Sequence, residues 1–127
     1  MTDTCILRFR DIAEDGTIRS HRQLISFSGS VWWGWWKKQS EPDRRKELDE
    51  LREKCRTSAI TIGLFDRSTA QFFSATMIDC VVSSDGPIAS PEPLRSPRYY
   101  NFEKLPAWFQ LTSIEEVMGS EWDFLDT

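Results

Sequence analysis

The chain has 127 residues, enough for one domain with its own core, and residues 1–127 read as a single unit. An apolar fraction of 39% and a charged fraction of 28% exclude a disordered chain. A net charge of −4 argues against a protein that grips duplex nucleic acid through its phosphates, which takes a surplus of Lys and Arg.

No apolar run approaches the ~20 residues of a membrane span. The start, Met1-Thr2-Asp3-Thr4, lacks the basic and apolar regions of a secretory signal. Cys5, Cys55 and Cys80 are widely spaced, with no C-x-x-C pair, and are expected as reduced, buried thiols. The expectation is a soluble cytoplasmic protein with no membrane partner and no cofactor.

In chain order, Cys5 to Arg10 alternates apolar and polar residues and predicts a half-buried strand. Asp15-Gly16 marks a turn. Thr17 is the expected cap of a helix with Ile18, His21, Leu24 and Ile25 on its inner face, ended by Ser28-Gly29-Ser30. Val31 to Trp36 predicts a second strand, where Gly34 signals a bulge or a close approach by another group. Glu41 to Arg56 is charge-dense, and the narrow stripe Leu48, Leu51 and Cys55 predicts a surface helix laid against the body.

Ser58 to Phe65 and Ala70 to Val82 predict two strands joined by a hairpin turn at Asp66 to Thr69, the second strand central and bent. Ser83 to Pro97 carries Pro87, Pro91, Pro93 and Pro97 and predicts a long loop, functional or mobile. Ala107 to Thr112 predicts a late strand. Ser113-Ile114-Glu115-Glu116 has the capping-box spacing and predicts a short helix ending near Gly119. Trp122, Phe124 and Leu125 make the tail apolar, and its abrupt stop fits the N-terminal part of a longer protein.

Catalytic motifs are sparse. His21 is the one histidine, and no serine or cysteine stands beside it in a nucleophile motif. Zinc-type spacing and glycine-rich phosphate loops are absent. No catalytic or metal residue is therefore assigned, and the balance leans away from an enzyme.

The feature that asks for a reason is Val31-Trp32-Trp33-Gly34-Trp35-Trp36-Lys37-Lys38, which holds four of the six tryptophans. Side chains alternate along a strand, so one pair of indoles should leave the core. Exposed indoles are costly unless they form a site or an interface. Flat indole walls stack on nucleobases, and Arg8, Arg10, Lys37 and Lys38 are placed to meet a phosphate. A single free or flipped nucleotide needs few phosphate contacts and so tolerates the acidic balance.

Lys104 to Val117, with its proline, Trp108-Phe109, a strand and then Ile114-Glu115-Glu116-Val117, resembles the ending of PUA-like domains of the EVE and ASCH branches. Val31 to Lys38 resembles the aromatic strand after their first helix. The resemblance implies an α+β fold, a small twisted and partly closed antiparallel β-sheet or barrel with two to three helices. It also implies an aromatic pocket for a modified base, for which Trp32, Trp33, Trp35, Trp36 and Trp108 are the residues that carry over. Similar domains accompany effectors in bacterial defence proteins, which implies a sensor role. Two rivals stand beside this reading: a protein-interaction or homodimer module using exposed aromatics and the 83–97 loop, and a small metal-dependent nucleotide hydrolase.

Overall fold

The computed structural model describes residues 6–9, 16–35, 45–83, 86–97, 100 and 103–117. Its strands are β1 (Ile6–Phe9), β2 (Val31–Gly34), β3 (Ile60–Asp66), β4 (Gln71–Val82) and β5 (Ala107–Val117). Two helices, α1 (Thr17–Ser28) and α2 (Arg45–Cys55), and a 3₁₀ turn at Pro93–Arg95 stand beside the strands. The strands form one sheet in the order β1-β3-β4-β5-β2, curled into a half-barrel. It is antiparallel except at one edge, where the long crossover through α1, β2 and α2 leaves β1 parallel to β3.

The central strand, β4, changes register against β5 at one place. Along β5 the inward residues are Ala107, Phe109 and Leu111, then Ile114; along β4 they are Phe73, Ala75 and Met77, then Cys80. Each strand slips phase once because Thr112 and Ile78 are left without a cross-strand partner, between Thr76↔Ser113 and Asp79↔Gln110. Such an extra residue kinks a strand and increases its twist. The central place expected for this strand is observed.

The inward faces, with Leu48 and Leu51 of α2, Ile18 of α1 and Trp33 of β2, make the main core. The α2 stripe is as expected, and its third member, the half-buried Cys55, points its thiol at Met77 O. Burial pushes the Cys55 thiol upward, and nearby Asp79 adds to this. Cys80 is fully buried, while Cys5 lies outside the described residues.

Helix α1 ends as expected. Gly29 adopts the left-handed conformation (φ 84°) and donates its N–H to Ile25 O at 2.8 Å. Its start differs from the sequence reading: Gly16 is the cap residue, no side chain caps it, and Thr17 is already helical and buried. The hairpin turn is held by Asp66, whose Oδ1 accepts the Ser68 N–H at 2.8 Å and the Ser68 hydroxyl at 2.6 Å.

Two further expectations are corrected. The strand at Val31 ends at Gly34, and its register against β5 runs without a bulge from Val31↔Leu111 to Gly34↔Trp108. The expected helix at Ser113 is strand: Ser113 to Val117 pair with Thr76 to Phe72. The Ser113 hydroxyl there bonds Thr76 Oγ1 at 2.8 Å instead of capping a helix. A local capping pattern loses to a neighbouring strand that takes up the backbone groups and buries Ile114. The expected helix end near Gly119, the tail, the strand's beginning at Cys5 and residues 41–44 lie outside the described residues.

Candidate base-binding site

Alternation along β2 sends its two described strand tryptophans to opposite faces of the sheet. Trp33 faces the main core and Trp32 the other side, and each is buried. The second face does not open to solvent, because a smaller cluster of Trp32, Tyr100, Leu105 and Trp108 forms under the segment from Ile88 to Leu105.

Both indole N–H groups on this second face hold that segment. Trp32 Nε1 donates to Glu92 Oε1 at 2.9 Å, and Trp108 Nε1 donates to Ile88 O at 2.9 Å. Ile88 and Leu105 also exchange backbone hydrogen bonds of 2.9 and 2.8 Å. Residues 86–97 thus form a strap, closed at its far end by Arg95, which reaches the buried Ser30 hydroxyl at 3.3 Å. The Ser30 hydroxyl accepts a second hydrogen bond from Gln110 Nε2 at 3.0 Å.

On the main-core side Trp33 is enclosed by rings. His21 lies against it with centroids 4.2 Å apart and planes 33° from parallel, and Phe9 meets it edge-on at 5.1 Å. His21 is fully buried. Its Nδ1 lies 2.7 Å from Thr17 O, which fixes the proton on Nδ1 and turns Nε2 towards the Tyr100 hydroxyl at 3.5 Å. Burial pushes the imidazole down to about 4, against the opposing pull of the Thr17 carbonyl, so it is neutral near pH 7.

Tyr100 joins the two clusters across β2. It packs edge-on against Trp108 at 4.9 Å and places its hydroxyl 3.5 Å from Gly34 O as well as from His21 Nε2. Gly34 makes that passage. A Cβ there would lie 2.9 Å from Trp108 Cζ3 and 3.0 Å from Tyr100 Cε1, and closer still to Leu105 Cδ1. The close approach expected at Gly34 is real.

Trp35 is the described indole of the 32–36 run left half-buried. It packs against the main core on the Trp33 side, and its backbone N–H bonds Ala107 O at 3.0 Å. Trp36, Lys37, Lys38 and Arg10 lie outside the described residues. Arg8 is exposed and alternates with Leu7 and Phe9, so its side chain leaves β1 on the face away from Trp33. The structure therefore brings Trp33 and Trp35 to one cluster and Trp32 and Trp108 to another, and it does not bring Arg8 to either. His21, Glu92 and Tyr100 were not singled out as site residues in the sequence. An inward position at helical spacing was the signal for His21, and aromatic density for Tyr100.

The family model described as Pua-like matches residues 5–124, and the chain belongs to that family. Membership gives it a fold of the type that binds RNA and nucleobases. No curated protein and no solved structure gives a significant match. Among the described residues, no group of three or more His, Cys, Asp or Glu gathers as metal ligands, and no helix is long and apolar enough to cross a membrane.

Proposed function

We propose that this chain is a non-catalytic recognition domain that takes a nucleobase, free as a nucleotide or modified within a nucleic acid, against Trp35, the indole that directly follows β2. The observation that carries the reading is Trp35, half-buried beside the enclosed Trp33 and directly ahead of Trp36, Lys37 and Lys38. A half-covered indole packed against the main core offers a flat wall, and a base stacked on such a wall gains ~1–3 kcal/mol. Trp33, held between His21 and Phe9, fixes that wall; Trp32 and Trp108 hold the strap behind it. Lys37, Lys38 and Arg10 are the groups assigned to the phosphate. A sensor role, as in defence proteins with an attached effector, fits a domain that binds without turning over its ligand.

Tryptophan fluorescence tests this directly. A panel of free and modified nucleosides and nucleotides is titrated against the parent and Trp35→Ala. Saturable quenching by one member, lost in a folded Trp35→Ala, supports the reading. A flat response in the folded parent sinks it.

One observation favours a second reading, a protein-interaction module. Leu94, at the crest of the strap, is 92% exposed. Light scattering that finds a stable dimer, dissociated by Leu94→Ser, would move the assignment there.

A further inference from the structure

The inner face of the sheet changes character under α1. On β3, β4 and β5 the inward positions are apolar as far as Leu64, Phe73 and Ile114. Alternation makes Asp66, Gln71 and Glu116 the next inward residues, one on each strand. All three line a groove of about 790 Å³ between sheet and helix, with the buried Ile18 and Phe73 in its floor and Arg19 and Arg22 on the helix wall. Cavities of about 300–1,000 Å³ are the size that holds small molecules.

The two walls carry opposite charge and do not neutralise each other. No acid occurs in α1, and neither arginine has a carboxylate partner among the described residues. Each wall holds its charge by a bond of its own. Arg22 Nε donates to Ile114 O at 2.9 Å, where β5 has run past β2, which leaves its terminal guanidinium nitrogens for a ligand. Across the groove, Glu116 Oε2 accepts from Gln71 Nε2 at 3.2 Å and keeps its other oxygen. Asp66 is committed to the hairpin turn through Ser68. Charged groups already held in place lose less freedom when they bind.

We infer that this groove binds a zwitterion of the amino-acid kind, a free amino acid or a short peptide with both ends unblocked. Its carboxylate meets Arg19 and Arg22, whose planar guanidinium groups match a carboxylate with paired hydrogen bonds. Its ammonium meets Glu116, and an apolar side chain lies over Ile18 and Phe73. Opposite charges held apart above an apolar floor suit a molecule charged oppositely at its two ends. A ligand with anionic groups alone leaves Glu116 facing like charge. No tryptophan lines the groove among the described residues, so this site stands apart from the base-binding wall at Trp35.

Isothermal titration calorimetry on the full chain tests the site with L-phenylalanine and glycyl-L-phenylalanine, each beside its N-acetyl and its C-terminal amide form. At least one unblocked ligand is expected to bind the parent, and which one does separates a free amino acid from a peptide as the source. Blocking either end is expected to weaken binding at least about fivefold, since each block removes a charged hydrogen-bonding group. Arg19→Ala and Glu116→Gln should weaken it by a similar factor. Both side chains are exposed, so both variants should fold as the parent does, and circular dichroism checks this. Glu116→Gln should also stop distinguishing the N-acetyl form, and Arg19→Ala the amide, a pattern that a general loss of structure does not produce. Absence of heat with every ligand overturns the site, as does an N-acetyl form bound as tightly as the unblocked one, or affinity unchanged in both variants. Base binding at Trp35 is read separately by nucleoside quenching and survives each of these results.

Discussion

Phe9 and Trp33 meet edge-on with ring centroids 5.1 Å apart, although β1 and β2 stand at opposite ends of the strand order. Only a sheet curled back on itself can bring its two outer strands together. The contact is therefore a gauge of closure. Truncation of the half-buried Phe9 to Ala is expected to cost about 2 kcal/mol, less than a fully buried Phe would. A double-mutant cycle with Trp33→Leu, followed by urea unfolding, checks the pair: a coupling energy near zero would mean that the rings touch without holding the edges.

Gly34→Ala should destabilise the fold by about 1–3 kcal/mol, because an added methyl meets Leu105, Trp108 and Tyr100 together. Urea unfolding reads the loss. Pairing Gly34→Ala with Leu105→Ala, which opens the nearest of the three contacts, should recover part of it. A neutral Gly34→Ala would show that Tyr100 does not pass this point in solution.

His21 predicts an acid weakness with a definite sign. In the folded chain it stays neutral down to about pH 4, whereas in the unfolded chain it takes up a proton near 6.5. Between these values the unfolded state binds more protons, so stability rises with pH. The contribution is complete above about pH 6.5 and falls away towards pH 4, by up to about 3 kcal/mol. Urea midpoints of the parent and His21→Gln at pH 7 and pH 4.5 measure it. The parent should lose the larger share on acidification; equal losses would remove His21 from the account.

The strap should loosen before the sheet does. Trp32→Phe keeps an aromatic ring but removes the donor to Glu92, at a cost of about 2 kcal/mol for a bond to a charged acceptor. Proteolysis within residues 86–97 and exchange of the Ile88 amide should both accelerate, while exchange along β3 and β4 stays near the parent's. Uniform acceleration through the sheet would mean that Trp32 supports the core and not the strap.

Much of this architecture was legible because it follows local rules. Leu48, Leu51 and Cys55 make a stripe that only a helix can bury on one side, and Gly29 supplies the left-handed residue that ends α1. The Lys104 to Val117 ending, with its Trp108-Phe109 pair, led to the correct family although one of its elements was misread. Ser113 to Val117 satisfies a helix-start pattern and is strand, since β4 offers it five backbone partners, which no window of sequence displays. The parallel pairing of β1 with β3 was hidden for the same reason.

The tryptophans show the limit most clearly. Alternation correctly sends Trp32 away from the main core, yet the strap that covers it comes from sixty residues further on, at Glu92. Sequence spacing can say which way a side chain leaves a strand. It cannot say what is waiting there.

The paired irregularities at Ile78 and Thr112 carry a consequence for how such a chain tolerates lost residues. Each resets the in-and-out rhythm of its own strand, and together they cancel, so pairing resumes in its former register at Asp79↔Gln110. A chain lacking both would keep every core residue facing inward and every pairing intact on either side. What it would lose is the crease. The sheet would lie flatter, its two margins would separate, and the half-barrel would become an open plate built from nearly the same sequence.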